Sequence, residues 1–370
     1  MSEAEVTVAN QVSLPETPFH TLRPAVARAV LAGALLSLLS LLPTALSYRD
    51  PPPAHAGDGD LALYGRIVDA LHAGASYYPA AHAELIAGHY GTLSVPGWRT
   101  PLYLTLVSLF PSLAVAQMTL VALTVIAAGA AAALLWRTAG RATAIAMIPV
   151  LFVAVAGCLA PRTVLFSEYA CGALILLSAC SFALGFRRTG FAAALLALFF
   201  RELALPYVLV CLALAWREGR RREMFAWLVA LAAYAGYYAW HWHMVMTQLG
   251  PADTGAAEGW LKFGGATFVL STAAFDGLLV LAPMWIAAAV LVLAVLGLLA
   301  WPGAAERRIP LTVFVYLLAF AFVGKPLDRY WGEVYTPLLT LGLAWALPAL
   351  ADLACAARAS RTARAAPAAR

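Results

Sequence analysis

The sequence predicts an all-α, polytopic transmembrane helix bundle, and three observations carry that expectation. Hydrophobic residues make up 63% of the 370-residue chain and charged residues only 12%, whereas a soluble domain has roughly 25% charged. Apolar runs of about 20 residues, the length that crosses a bilayer, recur along almost the whole chain. Arginines then mark alternate ends of those runs, as cytoplasmic loops require. Mean hydropathy is +0.81. The net charge of +5 therefore reads as topological, with no nucleic acid as partner. The five cysteines, Cys158, Cys171, Cys180, Cys211 and Cys355, lie in or beside apolar runs without metal spacing. They read as small packing residues.

Three sections follow from this pattern: a disordered cytoplasmic lead at 1–22, a transmembrane domain at 23–351, and a basic cytoplasmic tail at 352–370. No signal-peptide cleavage pattern precedes the first span. That span runs from Ala27 to Ser47, after Arg23 and Arg28, which sets the N-terminus inside. The loop from Tyr48 to Arg99 then lies outside. Within it, Leu61, Tyr64, Ile67, Val68 and Leu71 recur at helical spacing, predicting an amphipathic interfacial helix over Asp60 to Ala73. Tyr77 to His89 repeats this more weakly. Pro101 to Phe110 is apolar but too short to cross, so it reads as interfacial or re-entrant.

Further spans are expected at Ser112–Trp136, Ala142–Leu159, Val164–Phe186, Met224–His243, Gly277–Leu299, Leu311–Val323 and Val334–Ala351. The stretch Thr189 to Trp216 differs. Arginines flank both of its ends, and Arg201-Glu202 sits near its middle. Two half-length helices meeting at Arg201-Glu202 satisfy both the charge rule and the length. The total is about eight full spans plus one hairpin, with both termini cytoplasmic. No internal repeat points to an inverted-repeat transporter.

Chemistry-bearing residues are scarce in such a chain, so their placement is informative. Asp58 and Asp60 open the first interfacial helix, where a carboxylate serves as a helix cap or as a fixed, ionised general base. Two carboxylates are a weak metal signal, so a divalent ion at Asp58 and Asp60 stays open. Arg201 and Glu202 lie at membrane depth, where ionisable groups are expensive. They form either a self-satisfied pair or a clamp for an anion such as phosphate. Arg329, Tyr330, Trp331, Glu333 and Tyr335 open the last span from outside. Arg329 and Glu333 suit a surface ion pair at i and i+4, and Trp331 and Tyr335 suit an interfacial belt. Glu168 starts the fourth span as a solvated helix-end carboxylate or as a wall of the same cavity. The aromatic run from Tyr237 to His243 reads as an interfacial belt, since His241 and His243 do not share a helical face.

The outer loop reads acidic residue, Tyr64, short helix, Gly74-Ala-Ser-Tyr77-Tyr78-Pro79, then Trp98-Arg99-Thr-Pro101-Leu-Tyr103. This order resembles the first extracytoplasmic loop of the GT-C superfamily of integral membrane glycosyltransferases. These include protein O-mannosyltransferases and the bacterial mannosyl and aminoarabinose transferases. The hairpin tip Phe200-Arg201-Glu202-Leu-Ala-Leu-Pro206 and the late Arg329-Tyr330 before Pro337 resemble further elements of that layout. The acidic pair departs from the adjacent Asp-Glu of some subfamilies, and no soluble domain follows the last span.

The resemblance implies an inverting transferase in the inner, cytoplasmic membrane with its active site on the extracytoplasmic face. It would take a polyprenyl-phosphate sugar as donor substrate and a glycan, lipid or protein hydroxyl as acceptor. Asp60, with Asp58 second, falls at the general base. Arg201, Arg329 and Arg99 would meet the donor phosphate, and Tyr64, Glu168, Glu202, Tyr330 and Glu333 would line the cavity. The polyprenyl tail would lie in a groove among apolar spans. The readings from other classes are a transporter or flippase for a lipid-linked or anionic substrate and a non-catalytic envelope-assembly membrane protein.

Overall fold

A computed structural model describes residues 15–50, 59–251, 253–255, 262–303 and 307–359. Among these the chain is helical, without a strand ladder. Four helices are long and apolar enough to cross a membrane: Pro24–Ser47, Leu113–Thr138, Arg141–Leu159 with a 3-10 last turn, and Ser167–Leu184. We number the α-helices α1 (Pro24–Ser47), α2 (Gly59–His72), α3 (Tyr77–Ala87), α4 (Pro101–Ser108), α5 (Leu113–Thr138), α6 (Arg141–Ala154), α7 (Ser167–Leu184), α8 (Arg187–Phe200), α9 (Leu205–Arg217), α10 (Arg221–Met246), α11 (Gly265–Ala273), α12 (Met284–Ala300), α13 (Arg308–Phe320), α14 (Thr336–Leu341) and α15 (Leu343–Arg358).

The centre is α7. Its most apolar stretch is 83% buried, against 6% for α1. It packs against α5, α8 and the 3-10 segment Pro326–Val334. Small residues Ala170, Cys171, Gly172, Ala173 and Ala179 permit that close contact on several sides. Gly172 takes this furthest. A Cβ there would overlap the Glu333 carbonyl oxygen, so only glycine lets the Pro326–Val334 segment lie against α7. Around this centre, large apolar side chains face outward: Leu35, Leu36 and Leu39 on α1, Met118 and Ile126 on α5, and Phe225 and Val229 on α10. In water such a surface would aggregate; against lipid tails it is matched.

Charge is confined to the two ends of the core. At one end Glu223 accepts from Arg187, Arg220 and Arg308 (2.6 Å from Arg220 Nη1, 3.4 Å from Arg308 Nη2), fastening the starts of α8, α10 and α13 together. Arg137 donates to the Ala183 carbonyl at that same end of α7. At the other end of α7 stands Glu168. An 18-residue helix rises about 27 Å, close to the roughly 30 Å hydrocarbon thickness of a bilayer.

The half-helix hairpin is present as α8 and α9, broken at Arg201, whose backbone is extended (φ −155°, ψ 127°). The helices expected in the first loop are present as α2, α3 and α4. Other expectations are corrected. Of the lead expected to be disordered at 1–22, residues 1–14 lie outside the described residues, and Thr17 is held in place by its amide and hydroxyl, which both donate to Asp352 at 2.7 and 2.8 Å. The tail expected from 352 begins as helix, through Arg358 of α15. Arg28 donates to the Ala357 carbonyl at 2.9 Å, so both described ends of the chain lie together on α1 and α15. Trp331 and Tyr335 are buried, not a surface belt; they pack on Phe320. Four cysteines are buried as read, and Cys355 is exposed.

Replacing Gly172 with alanine is expected to force α7 and the Pro326–Val334 segment apart and to destabilise the fold by about 1–3 kcal/mol. Thermal unfolding of the purified protein in detergent measures this; an unchanged midpoint would show that the two backbones do not meet.

Candidate functional site

Helix α2 carries Asp60 in its first turn and Tyr64 one turn later. The expected capping role is not what Asp60 does here: its carboxylate accepts from two phenols of distant elements. Tyr90 donates to Oδ1 at 3.0 Å and Tyr330 to Oδ2 at 3.1 Å. Tyr330 is fixed by stacking on Phe166, with ring centroids 4.8 Å apart. Its oxygen in turn accepts from Arg99 Nη2 at 3.0 Å. Arg99 also donates to the Tyr64 hydroxyl at 2.8 Å and lies over that ring.

Beyond Arg99 the chain of charges continues inward. Arg99 Nη2 is 3.2 Å from Glu168 Oε1. Arg201 Nε is 3.0 Å from that same oxygen, and Arg201 Nη1 is 2.6 Å from Glu202 Oε1. Glu168 is fully buried, so it is not a solvated helix end. A buried carboxylate is tolerable only when paired, and Glu168 has two cations. The break at Arg201 is what makes this work, since an extended residue between two helix ends projects its guanidinium across the top of α7.

Burial is the main influence on the phenols. It pushes Tyr64, Tyr330 and Tyr90 up from their ordinary values, with the Asp60 charge adding to the rise. They therefore stay protonated and act as donors toward Asp60. For Arg99 burial works against the charge, but Glu168, Tyr64 and Tyr330 outweigh it, and its pKa is raised well above the ordinary value. The site thus joins one acceptor, Asp60, to a fixed cation, Arg99, through Tyr330. That arrangement can hold a hydroxyl near a base while an anion meets the cation.

The structure brings together Asp60, Tyr64, Arg99, Glu168, Arg201, Glu202 and Tyr330. It does not bring in Arg329 or Glu333. Arg329 pairs with Asp50 at 2.6 Å and lies over Phe275. Glu333 is buried beside Tyr169 and Cys158 around a void of about 10 Å³. Their expected i, i+4 ion pair is absent because Pro326–Val334 is 3-10 and kinked at Asp328, so such residues no longer share a face. Asp58 lies outside the described residues. Among the described residues no three His, Cys, Asp or Glu gather around a metal position. Both Asp60 oxygens face phenol donors, so this donor set does not suit a divalent ion.

Sequence reasoning missed Tyr90, thirty positions from its partner and without a periodic signal. It also missed a buried pair below α3. Tyr78 and His241 Nδ1 are 3.0 Å apart, and His241 is fully buried, whereas Trp240 and Trp242 remain exposed as the belt reading expects. A third missed contact ties the first long loop to the segment after α10: His82 Nε2 lies 2.8 Å from Asp253 Oδ1, and Thr92 N donates to the Thr254 carbonyl at 2.9 Å.

Beside the network an apolar groove of about 300 Å³ runs between α4 and α5, walled by Tyr103, Leu106, Phe110, Leu120, Leu123 and Phe200. None of the network carboxylates or arginines lines it. Comparison with protein-family models, with curated proteins and with solved structures finds no match to this chain.

Two outcomes are expected. Arg201→Gln leaves Glu168 with one cation and Glu202 with none, destabilising the protein by about 3–5 kcal/mol. Adding Glu168→Gln should restore part of that loss, and thermal unfolding of the single and double variants measures the coupling. The second outcome concerns pH. Burial raises Asp276 and Asp328 to about 6 and Glu333 well above its ordinary value. Each stays protonated in the fold at pH values where the unfolded chain has released the proton. Their contribution is therefore present at low pH and lost as pH rises through about 4 to 6 and above. The midpoint of unfolding should be higher at pH 5 than at pH 7.5, and Asp276→Asn with Asp328→Asn should flatten that slope.

Proposed function

We propose that the chain is an inverting membrane glycosyltransferase of the GT-C kind. It moves a sugar from a polyprenyl-phosphate donor to an acceptor hydroxyl on the extracytoplasmic face. The observation that carries this reading is the hydrogen-bonded path Asp60–Tyr330–Arg99, a base and a cation held at opposite ends of one phenol. Asp60 takes the proton of the acceptor hydroxyl. The acceptor oxygen attacks the anomeric carbon from the face opposite the phosphate. The bond from that carbon to the phosphate oxygen breaks, and the phosphate leaves with the electron pair toward Arg99. One base suffices because the lipid phosphate is a good leaving group without prior protonation.

Arg99 is better suited than Arg201 to receive the phosphate. Its side chain is 12% exposed against 2% for Arg201, and Arg201 already lies between two carboxylates. Arg201 is then a positioning residue, setting Glu168 behind Arg99. Arg329, paired with Asp50, belongs to the rim. No step is routed through a metal. The topology that goes with this reading has about eight full spans and the α8–α9 hairpin, with both termini cytoplasmic in an inner membrane. The contact of Thr17 with Asp352 supports placing the two ends on one side. Glu223 with its arginines, at the opposite end of α7 from Glu168, supports placing the site on the other.

Asp60→Asn is expected to lower sugar transfer in proteoliposomes by about 10²–10⁴-fold, the range for loss of a general base, with the protein still inserted. Transfer at the normal rate in that variant would remove Asp60 from the role. Arg99→Gln should weaken donor dependence more than acceptor dependence.

A further inference from the structure

The apolar groove between α4 and α5 has a polar mouth, and it is not the Asp60 site. At the Val107 and Phe110 end the groove meets a second hollow of about 190 Å³ that shares both residues. That hollow is lined by Asp69 and His72 of α2, Ser108, Ser112 and Arg162. Arg162 is in the left-handed region, φ 67°, which is costly for a residue with a Cβ. Its guanidinium rests where Gly65 lacks a side chain; a Cβ there would stand 2.8 Å from Nη2. Neither the Arg162 guanidinium nor the Asp69 carboxylate has a hydrogen bond or ion pair within the protein among the described residues, and they do not pair with each other. His72 Nδ1 lies 3.1 Å from the Ser108 carbonyl. Nδ1 therefore donates there, and in the neutral ring Nε2 is left as an acceptor.

The hollow thus offers one unpaired cation, one unpaired anion and a second acceptor, next to a slot that suits a hydrocarbon chain. An anionic headgroup would meet Asp69, and a purely cationic one would meet Arg162. A zwitterion satisfies both. A quaternary ammonium calls for an aromatic cage, and the hollow has a single aromatic, Phe110. An ammonium with N–H donors suits Asp69 and His72 better. We infer that this is a binding site for a phosphoethanolamine phospholipid. Its phosphate lies on Arg162, its ammonium on Asp69 and His72, and one acyl chain in the groove between α4 and α5. The inference is independent of sugar transfer.

The test uses the full chain purified in detergent and equilibrated with phosphatidylethanolamine, phosphatidylglycerol and phosphatidylcholine of identical chains. Retained lipid is read by native mass spectrometry. Phosphatidylethanolamine should be retained about tenfold over the other two, the worth of one hydrogen bond to a charged group. Arg162→Gln and Asp69→Asn should each remove that preference, and Asp69→Asn should turn it toward phosphatidylglycerol. Both residues are exposed, so the variants should melt as the parent does without lipid. Equal retention of the three lipids by the parent, or an unchanged preference in both variants, would overturn the site. Soluble phosphoethanolamine should not displace the bound lipid at equal concentration. Displacement by it would overturn the seat of the chain in the groove.

Discussion

The buried carboxylate of Glu168 is the constraint on which the rest of the site depends. Two cations reach the same oxygen from unrelated parts of the chain, Arg99 from the first long loop and Arg201 from the break between α8 and α9. An uncompensated charge at that depth would be excluded from the fold, so the loop and the hairpin are each held by the need to neutralise it. Tyr64 and Tyr330 then take their positions from Arg99, and Asp60 from Tyr330. The geometry at the exposed end of the path is thereby set from its buried end.

Two solvents shape the remainder. Side chains such as Leu36 and Met118 point outward because hydrocarbon surrounds them. Helices in such a setting gain little from the hydrophobic effect and hold together through close packing. Gly172 is the clearest case, and Gly297 with Gly342 repeats it where α12 meets α15. The ion pairs that Glu168 and Glu223 accept stand at the two ends of α7.

The all-helical, membrane-compatible character was legible in the sequence because apolar run length reports on what can cross a bilayer, and four helices of that kind are present among the described residues. The break at Arg201-Glu202 was legible because a charged pair stands in the middle of an apolar stretch flanked by arginines, where an unbroken helix would bury it. The site was only partly legible. Asp60, Arg99, Arg201 and Tyr330 stood out as rare polar groups, yet nothing in their spacing tells which touch. Tyr90 meets Asp60 across loops, and no periodicity relates them. Arg329 and Glu333 were misplaced because a spacing argument assumes 3.6 residues per turn, and the Pro326–Val334 segment turns more tightly. Glu168 looked like any helix-end acid, since its burial depends on partners that are remote in sequence.

The arrangement of α1 bears on the order in which the molecule is built. This helix packs against α11, α12 and α15, all in the final third of the chain, and its amino-terminal lead is tied to Asp352 and its Arg28 to Ala357. A ribosome makes α1 well before these partners. Until α11 and α12 are made, α1 lacks the partners it has in the finished fold. A chain truncated before α15 keeps α11 and α12 beside its first helix but loses the contacts of Thr17 with Asp352 and of Arg28 with Ala357.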